Sequence, residues 1–264
     1  MEKVSGVVVC YNNMPYIKNC LESMTWVDEL IVVDSFSDDG TAELARRYAD
    51  QFIEHEYISD GNQKNFAFSR ATHPWVVVID SDEIMPPELS REVRETLGNP
   101  RYGFYQVYRR GMFLGKEMKH GGWNRDKNYF LLRPDKYRFN DDEVHQRLIP
   151  EDDFGIMENR LIHYTHRSID EFVKKSNSYA TRSAAKYHRR GKKGSPSKIF
   201  FHSFYNFLKV YCFRLGLLDG TRGLISASLS SAYVAEKYAK LWELDNREEI
   251  ERLLPGRDGE GEDR

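Results

Sequence analysis

Trp75-Val76-Val77-Val78-Ile79-Asp80-Ser81-Asp82 runs as five consecutive apolar residues and then breaks into two carboxylates one residue apart. A continuous apolar run, as opposed to an alternating one, is what a strand buried on both faces requires, and such strands belong to parallel sheets covered by helices. Upstream, Val4–Cys10 reads as a β-branched strand, and Pro15 after Tyr11-Asn12-Asn13 opens a helix. Residues 29–33 repeat the strand, a polar loop spans 34–40, and a helix is predicted over 41–49. A third strand follows at 51–55, and Asn62 caps a helix running to about residue 71. Strands alternating with helices predict a parallel α/β sheet, in which ligands bind beyond the carboxyl ends of the strands. Asn12, Asp34 and Asp80 occupy those ends.

Beyond a helix predicted at 87–97, aromatic-rich extended stretches at 103–110 and 128–133 predict mixed or antiparallel sheet. Ser168 with Glu171 forms a capping-box signature, and the helix it opens stops near Gly191. An aromatic helix begins near Ile199 and a last helix spans roughly 226–244. These elements predict one α/β domain over 1–165, parallel in pattern to about 97 and mixed or antiparallel from about 98. A helical appendage over 166–254 and a disordered tail over 255–264 complete the chain.

The composition, 40% hydrophobic and 30% charged over 264 residues, fits a globular protein and excludes fibrous or wholly disordered classes. Three scattered cysteines exclude a disulfide framework or a paired-cysteine zinc site and point to a reducing compartment. Val7–Cys10 is too short for the apolar core of a signal peptide, which predicts a cytoplasmic location.

Paired aspartates offer hard oxygen ligands suited to Mg2+ or Mn2+. A cation placed there stabilises the charge that develops on a departing diphosphate. An isolated pair of this kind equally serves as a turn cap ahead of Pro86 and Pro87, so the surrounding pattern decides its meaning.

That pattern is specific. Val7-Val8-Val9-Cys10-Tyr11-Asn12, Ile31-Val32-Val33-Asp34-Ser35, Asp38-Asp39-Gly40-Thr41 and Val78-Ile79-Asp80-Ser81-Asp82-Glu83 together resemble family 2 glycosyltransferases. The resemblance implies the GT-A fold, with a mixed sheet around a nucleotide-sugar site. Gln63-Lys64-Asn65-Phe66-Ala67 and Gly216-Leu217-Leu218-Asp219-Gly220 are similar to the branch containing lipopolysaccharide-core β-1,4-glucosyltransferases. It implies that Asp34 meets the base, Asp80 the ribose and Asp82 the metal, with Tyr11 and Asn12 bordering the nucleotide pocket. Lys64, near a helix N-terminus, would approach the diphosphate or lie solvated at the surface. The resemblance also implies inversion at the anomeric carbon, for which a carboxylate must deprotonate the acceptor hydroxyl; Glu143 in Asp142-Glu143-Val144-His145 is favoured over Asp141 and Asp142 because this stretch is similar to a Glu-Val-His element of that branch. His145 and His163 are candidate contacts to the metal or diphosphate, and Trp123 is a stacking or packing residue.

The expected reaction moves a sugar from a nucleoside-diphosphate sugar, taken as a UDP-sugar, to a hydroxyl of a glycan or glycolipid. Two rivals are a sugar nucleotidyltransferase, whose glycine-rich basic N-terminal signature is missing, and a noncatalytic nucleotide-sugar-binding protein. Charge is unevenly distributed: residues 160–214 carry 13 Lys and Arg against 2 Asp and Glu, although the net charge is only -2. The aromatic run from Ile199, preceded by Arg189, Arg190, Lys192, Lys193 and Lys198, suits either an anionic membrane surface or packing in a helical core or homo-oligomer. No nucleic-acid-binding motif accompanies the charge.

Overall fold

The computed structural model describes residues 2–140 and 147–254. The chain forms two compact units, one comprising residues up to Glu117 with Trp123–Thr165, the other Met118–Gly122 with the chain from His166 onward. In chain order the first unit contains β1 (Val4–Cys10), α1 (Met14–Ser23), β2 (Glu29–Asp34), α2 (Thr41–Ala45), β3 (Gln51–Glu54), α3 (Asp60–Phe68), β4 (Trp75–Asp80), β5 (Glu83–Ile84) and α4 (Pro87–Gly98). There follow β6 (Phe104–Phe113), β7 (Lys116–Glu117), β8 (Lys127–Leu132), β9 (Arg138–Phe139), β10 (Leu148–Ile149), β11 (Gly155–Ile156) and β12 (Leu161–His166).

The main sheet has the order β3-β2-β1-β4-β8-β6-β12-β5. Its first four strands are parallel, with Val7 level with both Ile31 and Val78. Their apolar runs are continuous because both faces are covered. Val8, Val32, Val77 and Ile79 share one core with Ile17 and Leu21 of α1 and Leu89 and Val93 of α4, whereas Val7, Ile31, Val33, Val76 and Val78 meet Ala67 and Phe68 of α3. β8 then joins β4 antiparallel, and β6 joins β8 antiparallel, as the aromatic stretches predict.

Four helices have boundaries that differ from the sequence reading. α2 ends at Ala45, not near 49, because Asp50 is docked on β2, its carboxylate accepting from Leu30 N–H at 2.7 Å, and the chain must leave the helix to reach that position. α3 is capped by Ser59, whose Oγ accepts from Asn62 N–H at 3.2 Å, and Asn62 lies inside the first turn; the helix ends at Phe68, not near 71.

The second unit contains α5 (Ile169–Arg189), α6 (Pro196–Leu208), α7 (Gly220–Asp245) and α8 (Arg247–Leu253). Ser168 Oγ caps α5 by accepting from Glu171 N–H at 3.1 Å. α6 starts at Pro196, not near Ile199, because Ser195 Oγ caps it by accepting from Lys198 N–H at 3.3 Å, and α7, packed by both α5 and α6, begins six residues before the predicted start. Its first turns carry Gly220 and Gly223. Gly223 is required by packing, since a Cβ there would lie 1.8 Å from the Gly216 carbonyl oxygen. The Asp219 carboxylate accepts from Lys119 N–H and His120 N–H, holding the Met118–Gly122 segment within this unit.

Candidate active site

The carboxyl ends of β1, β2 and β4 lie side by side because the three strands are adjacent and in register: Cys10 pairs with Asp34, and Val9 with Asp80. The loops leaving them are sewn together. Asn12, in the left-handed region at φ 46°, donates its N–H to Ser37 Oγ and accepts from Asp38 N–H, both at 2.9 Å. Asn13 Nδ2 reaches the other way and donates to Ser81 Oγ at 2.7 Å, linking the β1 loop to the Asp80–Asp82 turn. Asp39 accepts from Met14 N–H, Thr41 N–H and Thr41 Oγ. Burial opposes the Asp39 charge, but the bonds from Thr41 and Met14 outweigh it and lower its pKa.

Asp34 is fully buried. One oxygen accepts from Ser37 Oγ at 2.6 Å and the other from Ser37 N–H at 2.8 Å. Ser37 thus takes one lone-pair site on each Asp34 oxygen and fixes the plane of the carboxylate. Tyr11, by contrast, is 61% exposed at the end of β1.

Asp80 is clamped from two sides. Lys64 Nζ lies 2.8 Å from Oδ1 and an Arg109 guanidinium nitrogen 3.1 Å from Oδ2, which fixes the plane of the carboxylate and leaves its remaining lone pairs for a ligand hydroxyl. Lys64 is buried, so it is not the solvated surface residue that one reading of the sequence allowed. Burial alone would raise the Asp80 pKa; Lys64 and Arg109 outweigh it and hold the carboxyl well below the usual range. The same pairing raises Lys64 against its own burial. Arg109 also reaches Asp126 at 3.0 Å and the fully buried Glu83 at 2.6 Å. Glu83 in turn accepts from Asp80 N–H at 2.8 Å, and burial pushes its carboxyl up to about 7 despite Arg109. Neither Arg109 nor Glu83 was singled out as a functional residue from the sequence. Glu83 lies in the quoted motif, but nothing local marks Arg109.

Asp82 faces His163, with 3.4 Å between Oδ2 and Nε2. β12 brings the histidine there: His163 is level with Glu83 in the β5–β12 pair, and Tyr164 N–H donates to the Asp82 carbonyl at 2.9 Å. Burial lowers the His163 pKa, but the bond and charge of Asp82 outweigh this and raise it. Trp123 packs on Phe113, with ring centroids 5.5 Å apart. Glu143 and His145, like Asp141 and Asp142, lie outside the described residues.

A divalent cation fits this turn on the chemistry of its donors. Asp82 offers carboxylate oxygen and His163, when neutral, imidazole nitrogen at the same point, whereas the Asp80 charge is already balanced by Lys64 and Arg109. Among the described residues no group of three or more His, Cys, Asp or Glu donors converges, and Asp82 and His163 are the pair of donors that meet at this turn.

Comparison with known proteins bears on the family and the fold. Residues 5–155 match the model of Glycosyl transferase family 2. The chain is 30% identical over 249 residues to the lipopolysaccharide core biosynthesis glycosyltransferase LpsC of Rhizobium meliloti, covering 91% of this chain and 92% of that protein. It is 26% identical over 257 residues to an uncharacterized glycosyltransferase of Rickettsia typhi, covering 92% and 88%. Among solved structures, the mannosyltransferase PcManGT from Pyrobaculum calidifontis, in complex with GDP-Man and Mn2+, superposes with a TM-score of 0.51 at 16% identity over 91% of this chain and 87% of that one. That last likeness is one of fold, and the mixed sheet is the GT-A arrangement. Since the family match extends over more than half of its length, this chain belongs to glycosyl transferase family 2.

Proposed function

We propose that the protein transfers a sugar, with inversion, from a nucleoside-diphosphate donor, a UDP-sugar first among them, to a hydroxyl of a glycan or glycolipid. The observation that carries this reading is the Asp80–Asp82 turn. One carboxylate is held rigid and ionised by Lys64 and Arg109, and a second stands beside His163, at the carboxyl end of a buried strand that β1 separates from the Asp34 strand. The similarity to LpsC over nine-tenths of both chains supports an acceptor of the lipopolysaccharide-core class.

In this reading the Ser35–Gly40 loop, with Asp34 at its base and Tyr11 and Asn12 alongside, frames the nucleobase. The fixed Asp80 carboxylate accepts from ribose hydroxyls. Lys64 sits next to that contact and adds positive potential near the diphosphate. Asp82 and His163 would hold Mg2+ or Mn2+, which when bound neutralises charge developing on the departing diphosphate. Glu143 is assigned to take the proton of the attacking acceptor hydroxyl on the face opposite the leaving group.

The test is a panel of nucleoside-diphosphate sugars supplied with Mg2+ or Mn2+ and core-type glycolipid acceptors, read by nucleotide release and product mass. The expected result is a nucleoside diphosphate and an acceptor heavier by one sugar. Release of pyrophosphate, or donor binding without transfer to any acceptor, would replace this reading with a nucleotidyltransferase or a binding protein.

A further inference from the structure

The second unit carries a surface that the donor site does not use. On α6, Phe200, Phe201, Phe204 and Tyr205 are 62%, 65%, 53% and 57% exposed. Their spacing places them on one face of the helix. Phe200 and Phe204 stack with centroids 6.1 Å apart, so the rings form a continuous patch. The opposite face is occupied: Asn206 Nδ2 donates to Ser230 Oγ at 3.0 Å, and His202 stacks on Tyr238 at 4.7 Å, fastening α6 to α7. The chain after α6 continues the exposed apolar character, with Phe213 70% exposed and Leu215, Leu217 and Leu218 also exposed. A monomer with this much aromatic surface in water incurs a solvation cost that a partner would relieve.

Charge identifies the partner. From Phe172 to Leu218 the chain carries 11 Lys and Arg and no Asp or Glu. Arg189, Arg190, Lys192 and Lys193 are exposed at the end of α5 and in the loop before α6, and Lys198 lies in the first turn of α6, its Nζ donating to the Lys193 carbonyl. Among the described residues Asp245 faces them and pairs with His188 and Lys193. A second copy docked through the aromatic face about a two-fold axis would bring two such basic clusters together, and like charges oppose that contact. Among the described residues no helix is long and apolar enough to cross a membrane, so a surface-lying arrangement is the one open to this segment.

We propose that α6 and the turn after it, residues 196–218, dock on an anionic phospholipid bilayer. The rings enter the headgroup–acyl boundary, and the Arg189–Lys198 cluster lies against the lipid phosphates. This holds whatever reaction the first unit performs. The experiment is co-sedimentation of the full chain with phosphatidylcholine vesicles, with and without about a third phosphatidylglycerol. Two variants accompany it: Phe200→Ser with Phe201→Ser and Phe204→Ser, and Arg189→Gln with Arg190→Gln and Lys192→Gln. All six side chains are exposed, and an unchanged thermal midpoint shows that the fold is kept. Expected are binding to the anionic vesicles that weakens with added salt, and at least about a tenfold loss in each variant. Wild-type protein left in the supernatant of anionic vesicles, or binding unaltered in the aromatic variant, overturns the proposal. So does self-association that the aromatic variant abolishes while wild-type protein leaves the vesicles unbound.

Discussion

The end of β4 and the outer face of α6 depart from the usual division of polar and apolar groups in opposite directions. At β4 the molecule buries charge: Glu83, Lys64 and Arg109 are drawn inward around the partly exposed Asp80, and the four groups satisfy one another. At α6 it exposes apolar surface: Phe200, Phe201 and Phe204 face outward. Each arrangement is unfavourable unless something offsets it, internal pairing in the first case and an external partner in the second. The contrast separates two kinds of functional surface, one preorganised by the fold and one completed by what it meets.

Substitutions at the two places therefore differ most in stability. Arg109→Met strips one of the two cations from the ionised Asp80 and leaves the Glu83 carboxyl buried without its partner, and unfolding by denaturant is expected to show a loss of about 3–5 kcal/mol. Phe204→Ser on α6 should stay within about 0.5 kcal/mol of wild type in the same measurement. Equal losses would mean that the α6 face is packed after all.

Within the helical unit the firm point is the α7 entry. Gly223→Ala drives a Cβ against the Gly216 carbonyl and should cost about 1–3 kcal/mol, read as a lowered thermal midpoint. A neutral effect would show that this turn is as adaptable as the exposed face beside it.

The smallest effect concerns Asp245. Burial opposes its charge, but Gly194 N–H, His188 and Lys193 outweigh it and lower its pKa. A carboxyl depressed on folding contributes stability above its unfolded value of about 3.9, and that contribution is lost as pH falls through the folded value. Asp245→Asn should accordingly be less stable than wild type at neutral pH and converge with it in acid. A difference that persists in acid would assign the effect to lost hydrogen bonds instead of charge.

How much of this was legible in the sequence follows from how local each signal is. β1, β2 and β4 announce themselves because strands buried on both faces are unbroken apolar runs, and Asp34 and Asp80 mark where the runs end. The family resemblance drew on the same segments. Arg109 was invisible because its meaning depends on the strand order β4-β8-β6, which brings it to Asp80 from 29 residues away along the chain. Lys64 could be assigned to either surface or diphosphate, since only the packing of α3 turns it onto Asp80. The early start of α7 was hidden because glycines demanded by close packing look the same in sequence as glycines that end helices.

The central claim, that Asp82 acts where phosphate charge develops, is tested most directly by the initial rate of nucleoside-diphosphate release from Asp82→Ala at saturating donor, acceptor and Mn2+, with the thermal midpoint measured alongside. The account predicts a rate lower by about a hundredfold or more in a protein that remains folded. A rate within about twofold of wild type in a folded variant would contradict it.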